Sequence, residues 1–324
     1  MLIRFVFWIV TAAVVVSIAG GMYQIHGTAK DIRKHPPPGE MVEVNGHRLH
    51  LLCEGEGSPT VLLEHAGGSS SMQWALVQPA LAEDTRACSY DRAGFGWSDS
   101  SDDALDVQHA VDDLHQLLRA SRLDGPIVLV GHSYGGNVVR LYAVQHPEQV
   151  LGVVLMDPGH FLDQPGVPDD VASKWEGQGA FIQNWGFVFA RIGLFRAFGT
   201  STGDLPDDAA SAIRGFAASN KQWDAIKAQY SAFPASSEQL VLETRDLGAK
   251  PLIVLSATEP PGAERDAWTE LNRDAARLSS NSDHRVVEGA DHLGLATNRA
   301  PSAEVTRAIR DVIDAARAGS SVRE

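Results

Sequence analysis

The pentapeptide Gly131-His132-Ser133-Tyr134-Gly135 sets a serine between two glycines, after the fully apolar run Ile127–Val130 and before a helix-forming stretch. A strand–serine–helix turn this tight lifts the hydroxyl above the strand ends and places it at a positive helix N-terminus, while the glycines allow close backbone approach. Such a serine suits nucleophilic attack on a carbonyl carbon, but a hydroxyl needs a base. His292, in Gly289-Ala290-Asp291-His292 just after the strand-like segment Arg285–Glu288, is the one of twelve histidines whose place in the chain order fits. A carboxylate must then orient the imidazole and stabilise its cation. Asp157, directly after Val150–Met156, competes with Glu259, beyond Pro251–Ser256. Asp157 is preferred because it abuts its strand and has the shorter, more rigid side chain, whereas Pro260-Pro261 turns the Glu259 loop elsewhere. Backbone donors must hold the oxyanion. The Tyr134 N–H is one candidate. Gly67, in His65-Ala66-Gly67-Gly68-Ser69, is the other.

Stepping out from these residues, strands and helices alternate from Met41 onward. Met41–Val44 and Arg48–Cys53 flank Asn45-Gly46 and read as a hairpin with a type I′ turn. Thr60–Glu64, Arg86–Tyr90, Ile127–Val130, Val150–Met156, Pro251–Ser256 and Arg285–Glu288 complete eight expected strands. Helices are expected over 104–121, 137–146, 268–278 and 303–318; the first has Val107, Val111, Leu114 and Leu118 in step. This alternation predicts an α/β fold: a mostly parallel, doubly wound eight-stranded sheet with helices on both faces. Strand signals stop over 158–247, where Trp175, Phe181, Trp185, Phe187, Phe189, Phe195 and Phe198 concentrate. That block reads as a helical cap inserted between core segments 41–157 and 248–324. Helix-spaced aromatics are core by default, with lipid contact over 181–198 as the alternative.

Residues 1–25 read as a transmembrane signal-anchor. Phe5–Tyr23 carries no charge and approaches the roughly 20 residues needed to span a bilayer. Ser17-Ile18-Ala19 offers a small-x-small cleavage pattern, but the run exceeds a usual signal-peptide core. Residues 26–40, ending in His35-Pro36-Pro37-Pro38-Gly39, read as a stiff spacer. Lys30, Arg33 and Lys34 after the segment favour a cytoplasmic domain by the positive-inside count.

Composition excludes other classes. With 324 residues and 44% hydrophobic side chains the chain is globular, and a net charge of −14 without a basic run argues against nucleic-acid partners. Cys53 and Cys88 are the two cysteines, which excludes a zinc ribbon or a disulfide-dense scaffold. The expected chemistry calls for neither metal nor cofactor.

Val130-Gly131-His132-Ser133-Tyr134-Gly135-Gly136 resembles the nucleophile elbow of the α/β-hydrolase superfamily. Tyr90-Asp91-Arg92-Ala93-Gly94-Phe95-Gly96-Trp97-Ser98 is similar to its D-x-R-G-x-G-x-S loop, with alanine at 93. His65-Ala66-Gly67-Gly68 is similar to its H-G-x-x oxyanion loop, with alanine at 66. The resemblance implies a serine hydrolase with an acyl-enzyme intermediate acting on a small-molecule carboxylic ester, with an apolar group suited to the aromatic cap. Amide or thioester hydrolysis, acyl transfer, and a receptor that binds without turnover are the alternatives. The family's acid most often follows the strand matching Pro251–Ser256, which keeps Glu259 in contention. A serine at the elbow argues against dehalogenases and epoxide hydrolases, whose elbow carries aspartate. The family's strand order also implies that Arg48–Cys53 lies beside Arg86–Tyr90, so that a Cys53–Cys88 disulfide is expected. Such a bond places the domain outside the cytoplasm, against the positive-inside count.

Overall fold

The computed structural model describes residues 1–159, 167–243 and 246–322; His160, at the end of the Asp157 motif, and part of the expected cap lie outside them. The eight strands are β1 (Glu40–Val44), β2 (His47–Glu54), β3 (Thr60–Glu64), β4 (Ala87–Tyr90), β5 (Ile127–His132), β6 (Val150–Met156), β7 (Leu252–Glu259) and β8 (Ser282–Asp291). They form one sheet in the order β1-β2-β4-β3-β5-β6-β7-β8. β2 is antiparallel to both its neighbours, and every other pairing is parallel. The β1–β2 turn has Asn45 and Gly46 at φ 49° and 87°, the two positive angles a type I′ turn needs.

The helices are α1 (Leu2–Lys34), α2 (Gln78–Leu81), α3 (Val107–Ala120), α4 (Tyr134–Gln145), α5 (Asp169–Phe181), α6 (Phe187–Arg191), α7 (Leu194–Phe198), α8 (Asp207–Ala217), α9 (Asn220–Glu243), α10 (Ala263–Ala275), α11 (Gly294–Thr297) and α12 (Arg299–Ala318). Strand alternation feeds a core on each face of the sheet. Ile127 and Leu129 of β5 pack with Val111 and Leu114 of α3 and Val138 of α4. Val128 and Val130 pack with Val305, Ile309 and Val312 of α12. Both faces of β5 are therefore buried, as its unbroken apolar sequence requires.

Three boundaries differ from expectation in ways that matter for the site. β5 continues to His132, because its ladder with β6 extends to the His132–Met156 pair, and α4 starts at Tyr134. Ser133 alone joins them. α10 starts at Ala263 rather than at Trp268, with Glu264 and Asp266 in its first turn, where acidic side chains favour the helix dipole. At the N-terminus α1 runs unbroken to Lys34, into the stretch expected as spacer; the three prolines that follow end it. Between β6 and β7, α5 to α9 stand where a helical cap is expected, with Ile182–Gly186 wound as a π-helical turn. Phe195 stacks on Trp223 with ring centres 4.0 Å apart, whereas Phe181, Trp185 and Phe198 are exposed.

Candidate active site

Ser133 has φ 54° and ψ −122°. For a residue with a Cβ this backbone costs about 1–3 kcal/mol and persists only when its surroundings fix it. Here the Ser133 N–H donates to Met156 O (3.0 Å), and its carbonyl accepts from Gly136 N (2.9 Å) and Gly159 N (2.8 Å). The flanking glycines are sites of close approach. A Cβ on Gly131 would lie 2.5 Å from the Gly135 carbonyl oxygen, and one on Gly135 would lie 2.6 Å from the Glu64 carbonyl oxygen.

His292 follows β8 directly. Its Nδ1 is 2.7 Å from Oδ2 of Asp157. With an ionised carboxylate as acceptor, Nδ1 carries a proton, so the neutral form of the imidazole has its lone pair on Nε2. The imidazole lies 4.9 Å from the ring of His132, the residue before Ser133, and the Trp268 ring meets it edge-on at 5.6 Å.

Asp157, also at positive φ (43°), is fixed by its N–H to Leu255 O at 2.7 Å. Its buried carboxylate also accepts from Arg265 Nη1 (3.0 and 2.8 Å), Asn272 Nδ2 (2.8 Å) and Ala257 N (3.3 Å). Burial pushes its pKa upward. The hydrogen bond and charge of His292, with the Arg265 guanidinium, more than offset this and hold it at about 2. Glu259 stands exposed at the end of β7, across the ladder from Asp291. The structure thus brings Asp157 to His292 and leaves Glu259 outside that contact.

The loop after β3 turns on a bond from Ser69 N–H to Ala66 O, with Gly68 at φ 71° in the position where a type II turn favours glycine. It lies against the elbow: a Cβ on Gly67 would be 3.5 Å from Tyr134 Cβ. Two buried side chains hold it there. Gln73 accepts from Ala66 N (3.1 Å) and its amide lies 3.2 Å from His132 Nδ1, bridging loop and elbow. Arg92 donates to the carbonyls of His65 (2.7 Å) and Ala66 (3.1 Å) and pairs with Glu64, which also accepts from Tyr90 OH. Burial lowers His65 and His132 to about 3, so both are neutral beside the elbow, with nearby Arg92 and His292 respectively adding to the effect.

Sequence reading missed Arg265, Asn272 and Gln73. The first two stand seven residues apart on α10, two turns along one face, but α10 was expected to start after Arg265. Cys53 and Cys88 face each other across β2 and β4 and are bonded.

A family model described as alpha/beta hydrolase fold matches residues 59–299. The chain belongs to the α/β-hydrolase family. It is 27% identical over 297 residues to an uncharacterized protein of Schizosaccharomyces pombe, covering 79% of this chain and 52% of that one. It is 36% identical over 129 residues to a 2-hydroxymuconate semialdehyde hydrolase of a Pseudomonas species, covering 37% and 44%. The chain thus spans about half or less of these curated relatives' length. A solved bacterial membrane phospholipase A superposes with a TM-score of 0.62 at 19% identity, covering 98% of each chain, a likeness of fold. Beside the loop after β3 the chain has a cavity of about 180 Å³, lined by Gly67, Gln73, Ile213, Ala217 and the neighbours of His292, Asp291 and Leu293.

Proposed function

We propose that this protein is a hydrolase that cleaves carboxylic esters through an acyl-enzyme on Ser133. His292 takes the serine proton and returns it to the leaving alcohol. Asp157 holds the imidazole in the tautomer that leaves Nε2 free and stabilises its cation, and the Tyr134 and Gly67 amides hold the oxyanion. The observation that carries this reading is the 2.7 Å contact between His292 and Asp157, with the imidazole against the residue before Ser133. Water attacking the acyl-enzyme, activated by the same imidazole, releases the acid. A fluorophosphonate probe tests the reading: the wild type is labelled and Ser133→Ala is not. Labelling that persists in Ser133→Ala rejects it.

The similarity to the semialdehyde hydrolase favours a second reading, carbon–carbon hydrolysis by the same residues. A panel of p-nitrophenyl esters of graded chain length, run beside a vinylogous diketone acid, separates the two by their kcat/KM.

We also read α1 as a membrane anchor. Among the described residues it is the one helix long and apolar enough to span, with a mean hydropathy of 2.2 in its most apolar window and none of that window buried. The Cys53–Cys88 pair supports a catalytic domain outside the cytoplasm.

A further inference from the structure

Helix α1 does not leave the membrane and trail into a linker. A stripe of Gly20, Gln24, Gly27 and Asp31, at the 4-3-4 spacing of one helix face, lies against the inserted helices. A Cβ on Gly20 would be 2.3 Å from Ile192 O, and one on Gly193 would be 2.9 Å from the Tyr23 ring. Gln24, 1% exposed, donates to Ala218 O at 2.5 Å. Arg196 donates to Gln24 (3.0 Å) and Asp31 (2.6 Å), and Lys34 donates to Ser211 (2.7 Å).

This docking fixes the height of the cap. The mostly apolar run ends at Tyr23, before Gln24 and His26, and at about 1.5 Å per residue Phe5–Tyr23 matches the roughly 30 Å apolar core of a bilayer. The turn between α6 and α7 touches α1 at Gly20 and Tyr23, level with the end of that run. The cap's exposed aromatics flank this turn in the chain, Phe181 (46% exposed) and Trp185 (55%) before it and Phe198 (82%) after it. Phe189 joins two of them into one patch, 5.8 Å from Phe181 and 6.3 Å from Trp185 between ring centres. Exposed aromatic side chains are the kind that favour the membrane–water boundary.

Helix α8 connects this edge to the chemistry. Ser211 and Gly215 face α1, while Ile213 and Ala217, on the opposite side of α8, line the cavity beside the oxyanion loop. One helix thus separates the anchor from that cavity.

We infer that the cap edge formed by Phe181, Trp185 and Phe198 rests in the headgroup layer of the bilayer that α1 enters, and that the substrate is an amphipathic, lipid-type ester drawn from that bilayer. The substrate half rests on the serine-hydrolase reading, and the whole rests on α1 as a span.

The full chain in phosphatidylcholine vesicles carrying lipid brominated high in the acyl chain tests it. Zwitterionic lipid suits a chain of net charge −14. The difference between wild type and Trp8→Phe isolates Trp8, inside the run, which reports insertion, and the difference between wild type and Trp185→Phe isolates Trp185. Quenching of the Trp185 signal by more than half is expected. Trp8 quenched with Trp185 bright overturns the interface and leaves the patch to water or to a second copy of the chain. Trp8 bright overturns the span and the inference with it. For the substrate, Trp185→Glu with Phe198→Glu is expected to lower hydrolysis of a vesicle-embedded long-chain ester at least ten-fold, while p-nitrophenyl butyrate stays within two-fold. Equal effects on both esters overturn the lipid-ester assignment. Quenching needs no turnover, so a quenched Trp185 in a protein that fluorophosphonate does not label rejects the serine-hydrolase reading, and with it the substrate assignment, and upholds the membrane edge.

Discussion

Asp157 shows why one carboxylate of the two candidates is equipped to orient a histidine. A buried charge is costly unless paired, and four groups donate to this one: His292, Arg265, Asn272 and the Ala257 N–H. Asp157→Asn keeps the shape but can present an amide to Nδ1, favouring the wrong tautomer. On the proposed mechanism kcat falls about 10³- to 10⁴-fold with little change in KM, while Glu259→Gln stays within about two-fold. Steady-state kinetics on a p-nitrophenyl ester read both. Acid stability follows from the same contacts. The folded pKa, about 2, lies below the ordinary 3.8, so the stabilisation is fully present above pH 3.8 and is lost as pH falls through 2. Its size is about 2 kcal/mol. Urea unfolding of the wild type is expected to lose that amount between pH 4 and pH 2, and Asp157→Asn is expected to lack this part of the slope.

At the scale of elements, the elbow works because β5 and α4 meet at a single residue, which leaves no slack for the serine backbone. Gly135→Ala puts a methyl 2.6 Å from the Glu64 carbonyl oxygen and 2.7 Å from that of His65, backbone that carries the oxyanion loop. A destabilisation of about 1–3 kcal/mol is expected, together with at least a ten-fold fall in fluorophosphonate labelling rate. Gly177→Ala, in the middle of α5 with nothing within 4 Å, is the control and is expected to be neutral or to stabilise by up to about 1 kcal/mol. Much of this level was legible in the sequence. Apolar runs buried on both faces marked β5 and β6, and the chain order then placed Ser133, Asp157 and His292 at strand ends. The neighbours that secure them were hidden for physical reasons. Arg265 lies in a first turn of α10 whose one apolar residue is Ala263, so periodicity located that helix too late. Gln73 sits in a short 3₁₀ turn with no period at all. The stripe on α1 that docks on the cap is glycine, glutamine and aspartate, and a search for apolar faces passes over it.

On the scale of the molecule, the antiparallel hairpin β1–β2 is the part of the sheet least tied to the rest, since β2 meets the parallel strands only through β4. The Cys53–Cys88 bond crosses that junction and closes a loop of sequence separation 35. Loop-closure entropy makes a cross-link of this span worth about 3–4 kcal/mol, and measured bonds commonly return somewhat less. The double variant Cys53→Ser/Cys88→Ser is therefore expected to unfold in urea with a stability lower by about 2–4 kcal/mol and a somewhat steeper slope, because the unfolded chain without the bond is more open. The bond also bears on which side of a membrane the domain lies. Cytoplasmic glutathione and thioredoxin keep thiols reduced, so the bond is the ground on which an oxidising compartment is proposed. Lys30, Arg33 and Lys34 argue the other way by the positive-inside count, but that count weighs charges left free beside the bilayer. Lys34 is engaged by Ser211, and the last turns of α1 lie against the folded cap, so the whole domain, rather than a short loop, has to be located. Alkylation of the full-length chain in freshly broken cells, followed by mass spectrometry, decides between the two. No modified cysteine without reductant and two with it are expected. Two modified cysteines without reductant would place the domain in the cytoplasm and remove the bond from the stability of the native protein.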